Sequence, residues 1–181
     1  MRLQLLSPGE MTDDQRAIYD ESIASKRGSP PPPMMAWLAS PDMARHATRL
    51  GAVLRYDTSF PPALSELAIL VTARHWTAHF EWYAHKKMAL DGGLDPAIIE
   101  AIRDRRTPRF DDPKARVIYD VARSLHEARG LPQPLYDEAT QLLGERGLVE
   151  IIGLCGYYTM VSMTLNAYEF PLPDGEVSEL A

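Results

Sequence analysis

The residues best suited to chemistry in this chain gather in one window, Ser65–Gly93, which reads SELAILVTARHWTAHFEWYAHKKMALDGG. Glu81 and His85 stand four apart there, so a helix places them on one face within hydrogen-bonding reach. A carboxylate beside an imidazole fixes its tautomer and raises its pKa, giving a proton donor and acceptor that works near neutral pH. Trp82 adjoins the pair and can wall it with an apolar ring. Glu66 lies fifteen residues before Glu81. It returns to the pair if the helix breaks near Trp76 and the chain doubles back as a hairpin. Helical Glu/His pairs also decorate plain solvated surfaces, but the aliphatic and aromatic residues around this one favour a partly buried pair.

Other chemistries find less support. His75 and His79 have the i, i+4 spacing of helical zinc ligands, but the zinc-protease pattern needs Glu where this chain has Trp76. On a continuous helix His85 points roughly 80–120° away from their face. No face collects three ligands, and no metal is expected. Cys155 is the one cysteine, which excludes an intramolecular disulfide framework, a dithiol cycle and a cysteine-rich zinc site. It sits in an apolar stretch without a basic neighbour and reads as a small core residue. His46 and His126 are isolated and read as surface or capping residues, and Tyr157-Tyr158 as core. There is no glycine-rich phosphate loop and no GxSxG elbow, so no nucleotide, flavin or other cofactor is expected.

The elements that must position these groups are helical. No segment alternates long enough to make a convincing strand, and helix punctuation recurs. Thr12 and Gln15 form a capping-box pattern opening a helix to about Lys26. The run Pro30–Pro33 then reads as an extended, stiff connector. Ser40-Pro41 opens a helix with Met43, Ala47, Leu50 and Leu54 on one face. A longer helical region runs from Pro62 towards Leu90, with a break near Trp76. Asp95-Pro96 and Asp112-Pro113 start two more, and Pro134–Leu143 makes another, stopped by Gly144. The last element is Leu148–Ala167, apolar nearly all round and read as a central helix buried on most sides. The expected architecture is all-α: one domain spanning 1–181, seven or eight helices, a core of about 12–171 and a tail from 172 that frays.

Composition bounds the partners. Hydrophobic residues make up 45% of the chain, which supports a packed core over disorder. Acidic residues number 25 against 19 Lys plus Arg, with no basic block, arguing against nucleic acid. Leu148–Leu165 carries Glu150, two glycines and two tyrosines, so a core helix is expected there rather than a membrane span. The N-terminus turns acidic at once and does not read as a signal peptide, which points to the cytoplasm. The apolar last helix, with Gly153 and Gly156 allowing close approach, suits either subunit association or a sheath from its own chain.

At the same window the sequence resembles the carboxymuconolactone decarboxylase family, which includes alkylhydroperoxidase D-like proteins. The resemblance is carried by SELAILVTAR (Ser65–Arg74), FEWYAHKKMALDGGLDPAIIEAI (Phe80–Ile102) and LGERGLVEIIGLCGYYTMVSMTLNA (Leu143–Ala167), and with spacing it covers most of 12–171. It implies an all-α, alkylhydroperoxidase D-like fold and assembly into homo-trimers or hexamers. The family's peroxidase branch carries a glutamate, a CxxC pair and a histidine. Glu66 and His85 match the first and last, while the cysteine positions fall on Ala78 and Glu81. Peroxide reduction there needs one thiolate to attack and another to resolve, which this pair cannot supply. The resemblance therefore implies a cofactor-free lyase acting on a small organic acid or lactone. His85 would carry the proton, Glu81 would tune it, and Glu66 would be a second acid/base, with Arg74 and Trp82 against the substrate. The alternatives are an alkylhydroperoxidase-like oxidoreductase and a non-catalytic oligomeric binding protein that kept the fold.

Overall fold

The computed structural model describes residues 1–26 and 28–181. Among the described residues there are eight α-helices and no strand. They are α1 (Asp13–Ala24), α2 (Pro32–Trp37), α3 (Pro41–Tyr56), α4 (Pro62–His75), α5 (His79–Asp91), α6 (Pro96–Arg103), α7 (Pro113–Glu127) and α8 (Gln133–Ala167). Local chemistry explains where they begin. Thr12 and Gln15 close both arms of a capping box on α1. Asp95 and Asp112 accept from the Ala97 and Lys114 N–H groups at 2.8 Å, each ahead of a proline at the first helical position.

The turn that matters most for function lies between α4 and α5. Trp76 ends α4, Thr77 takes a left-handed conformation (φ 47°), and the Ala78 N–H donates to the Ala73 carbonyl at 2.9 Å. Positive φ strains a β-branched residue, and Thr77 is held there from outside. Its hydroxyl accepts from Arg74 and Arg105, both at 3.3 Å. The chain thus reverses, and α5 packs back along α4.

Helix α4 is the centre of the molecule. Every residue from Leu64 to Arg74 is buried, and α5, α6, α7 and α8 all pack on it. That role was expected of the last apolar helix. Instead α8 buries only one side, leaving Val149, Ile152 and Met163 exposed. By length and composition α8 is apolar enough to cross a membrane, yet half of its most apolar window is buried in the protein. It also breaks at Gly144 (φ 71°, ψ 168°), where the sequence places a stop.

Three other expectations are corrected. Pro32 and Pro33 are not extended connector but the first residues of α2. A proline there loses nothing, because first-turn N–H groups have no helical partner. The buried stripe of α3 is Ala44, Ala47, Gly51 and Leu54, while Met43 and Leu50 face outward. Small residues define that stripe because α8 comes so close that a Cβ on Gly51 would lie 2.2 Å from the Tyr157 hydroxyl. The tail does not fray. Leu180 is buried, Glu179 accepts from Lys86 and from the Trp82 indole, and Arg74 reaches the Ala181 main-chain oxygen at 3.1 Å.

Candidate active site

The hairpin brings Glu66, near the start of α4, against Glu81 and His85 on α5. His85 Nδ1 lies 2.6 Å from Glu66 Oε2, and His85 Nε2 lies 2.9 Å from Glu81 Oε1. All three residues are buried, none more than 6% exposed. The two contacts differ in kind. Nδ1 and Glu66 share an aligned hydrogen bond, whereas the Glu81 contact has ion-pair distance without that alignment. Glu81 Oε1 is therefore a buried carboxylate oxygen with no hydrogen-bond donor aimed at it.

The surroundings set the charge state of the ring. Burial opposes a positive imidazole, but the Glu81 and Glu66 carboxylates outweigh it and lift His85 to about 9. At neutral pH the ring is an imidazolium, so it is a proton donor from the start. A row of aromatic edges extends from it. Tyr158 stands edge-on to His85 at 5.0 Å, Tyr157 edge-on to Tyr158 at 5.3 Å, and Trp37 edge-on to Tyr157 at 6.2 Å. Burial holds the Tyr158 hydroxyl well above its usual range, and the Glu81 and Glu66 charges add to the effect. It stays neutral at the site.

Glu81 and His85 open onto a cleft of ≈ 370 Å³. Its other walls include Pro30–Pro33, Arg55 and Tyr56 from α3, Phe80 and Met88 from α5, and Tyr157 and Tyr158 from α8. Glu66 does not line it and holds the imidazole from behind. Of the expected site residues, Glu66, Glu81 and His85 come together. Arg74 and Trp82 do not join them. Arg74 spends its guanidinium on the Arg103 carbonyl, Thr77 and the Ala181 oxygen, and Trp82 turns its indole N–H to Glu179. Both expectations came from nearness in sequence, and the turn at Thr77 sends these side chains elsewhere.

The remaining candidates separate as well. His75 ends α4 and His79 begins α5, so their four-residue spacing does not operate as a helical pair. His75 stacks on His126 at 4.7 Å. His126 is half-buried rather than a surface residue, lies 2.9 Å from the Thr72 hydroxyl, and is held down at about 4 by burial and by His75. Among the described residues no group of three or more His, Cys, Asp or Glu is placed to hold a metal ion. Cys155 is buried in α8 outside the cleft, and burial pushes its thiol up to about 11.

Arg55 and the proline wall were missed in the sequence. Arg55 sits in the last turn of a helix far along the chain from the Ser65–Gly93 window's histidine, and nothing in its own neighbours marks it. Only the packing of α3 against α8 brings it to the cleft.

No protein-family model matches the chain, and no curated protein matches it in sequence. Solved structures do match in fold. An uncharacterized peroxidase-related protein from Ralstonia eutropha JMP134, described as an alkylhydroperoxidase AhpD core, superposes with a TM-score of 0.76. The match has 13% identity and covers 96% of this chain and 92% of that one. A protein of unknown function from Agrobacterium tumefaciens, described as a candidate antioxidant defence protein AhpD, gives a TM-score of 0.66 at 15% identity. That match covers 76% of this chain and 95% of the other. The fold is AhpD-like and all-helical, as the resemblance in the sequence implied, while its decarboxylase side has no counterpart among these matches.

Proposed function

We propose that this chain is an acid–base enzyme acting on a small organic acid or lactone, by decarboxylation or a related proton transfer, with side chains alone as catalysts. The observation that carries the reading is a buried imidazole clamped between two carboxylates at the wall of a cleft. Glu66 positions His85 through Nδ1. The Nε2 proton, not locked into an aligned bond with Glu81, is the one available to a substrate. In a decarboxylation the bond to the departing carboxylate breaks, its electron pair spreads into an unsaturated system, and Nε2–H delivers a proton to the carbon. The neutral imidazole then regains a proton from water. For an isomerisation, Glu81 would take the first proton and His85 return one.

The fold neighbours bear peroxidase names, and a thiol route is the second reading. It is less favoured because no sulfur nucleophile lines this cleft and Cys155 stays a thiol at neutral pH. The placement of Glu81 and His85 on a cleft wall, with Glu66 behind the ring, also weighs against a purely binding role. We further propose assembly with copies of itself, supported by the apolar side chains that α3 and α8 leave exposed.

The test is turnover of a panel of small unsaturated carboxylic acids and lactones by the wild type and His85→Gln. The variant should lose about 10²–10⁴-fold in kcat. Activity held within about threefold refutes the acid–base role. Robust peroxide consumption with a dithiol, abolished by Cys155→Ser, would establish the other reading.

A further inference from the structure

We infer that Arg55 is the anion grip of the His85 cleft and makes it select a carboxylate-bearing substrate over a neutral lactone. This rests on the acid–base reading and deepens it by choosing between the two substrate classes.

Three observations converge on Arg55. It lines the same cleft as Glu81, His85 and Tyr158. It is half-buried, and among the described residues no carboxylate pairs with its guanidinium, which meets the Met88 thioether at 2.7 Å and the Tyr56 ring at 5.4 Å. Neither neutralises it, since a thioether is a weak acceptor and a ring offers only its face. Arg49 and Arg116, by contrast, are paired with Glu21 and Glu138 on the surface. A planar guanidinium with spare N–H donors on a cleft wall fits the two oxygens of a carboxylate.

The charge balance gives the grip its reason. Glu66 and Glu81 with the His85 imidazolium leave one net negative charge behind the cleft, which by itself repels an anion. Arg55 offsets it. The rings of Tyr56, Phe80, Tyr157 and Tyr158 also line the cleft, which suits a flat apolar body. The substrate then lies with its anchoring carboxylate on Arg55 and its reacting carbon towards Nε2 of His85. Arg74, the cation expected from the sequence, is engaged on main-chain oxygens outside this cleft.

Benzoate and benzamide test the assignment, because they share a shape and differ in charge. NMR titration should give a benzoate Kd about tenfold or more below that of benzamide, and Arg55→Gln should weaken benzoate by about the same factor. Benzamide binding should stay within about twofold in that variant, which also reports an intact cleft, and Arg49→Gln, at an exposed arginine paired with Glu21, should leave both ligands unchanged. The assignment is overturned if the wild type shows no preference for the anion, including no binding of either at about 10 mM. It is equally overturned if Arg55→Gln keeps its benzoate affinity or loses both ligands together. Binding involves no proton transfer, so this test can fail while the His85→Gln result stands, and the reverse.

Discussion

At the scale of the residue, the decisive fact is that one ring faces two carboxylates, Glu66 in an aligned hydrogen bond and Glu81 at ion-pair distance. The sequence shows the Glu81–His85 pair directly, since four residues on a helix is a distance. Glu66 is legible only on condition that the chain reverses near Trp76. Which carboxylate faces the cleft is not legible at all: Glu66 was expected to exchange protons with the substrate, yet it stands behind the imidazole, away from the cleft lining. In the reaction proposed above, its effect would run through His85. Because two carboxylates hold the ring protonated up to about 9, a reaction that needs this proton should decline above that pH. Glu66→Gln removes one of the two charges and should move the alkaline limb of the kcat profile to lower pH. An unmoved limb would show that Glu66 does not support the ring.

At the scale of the element, helices were readable from caps, prolines and periodicity, whereas their mutual packing was not. Thr12, Asp95, Asp112 and Gly144 mark boundaries through local bonds and backbone angles, which a sequence displays. Which apolar helix is central depends on what packs against it, so α4 and α8 exchanged roles. The stripe on α3 keeps Ala47 and Leu54 but exchanges Met43 for Ala44 and Leu50 for Gly51 for the same reason, because Gly51 rather than Leu50 meets α8. That contact seats Tyr157 in the cleft wall. Gly51→Ala should gain about 0.8–1 kcal/mol in helix propensity and lose about 1–3 kcal/mol to the clash, for a net destabilisation of about 1 kcal/mol. Urea denaturation measures it, and a variant as stable as the wild type would mean that α3 and α8 are less tightly apposed than the 2.2 Å approach implies.

At the scale of the whole molecule, one hydrophobic cluster runs from Ile18 to Leu180, so the tail expected to fray belongs to it. Its polar letters hid anchors that only the fold supplies, namely Trp82 and Lys86 of α5 for Glu179 and Arg74 of α4 for Ala181. What the chain leaves uncovered is also informative. Leu50 and Val53 on α3 and Val149 and Ile152 on α8 are exposed, beside the crossing where Gly153 meets Leu54. If copies associate through this face, light scattering should give a multiple of 20.3 kDa, and Ile152→Glu should lower it; a monomeric wild type would end that proposal. The account as a whole turns on the imidazole being charged at its buried station. The most direct measurement is a histidine-selective NMR titration of the wild type. A ring whose nitrogens both stay protonated through neutral pH and titrate near 9, dropping in Glu81→Gln, is the predicted result. A His85 ring that titrates at the ordinary value of about 6.5, or is already neutral at pH 7, would contradict it.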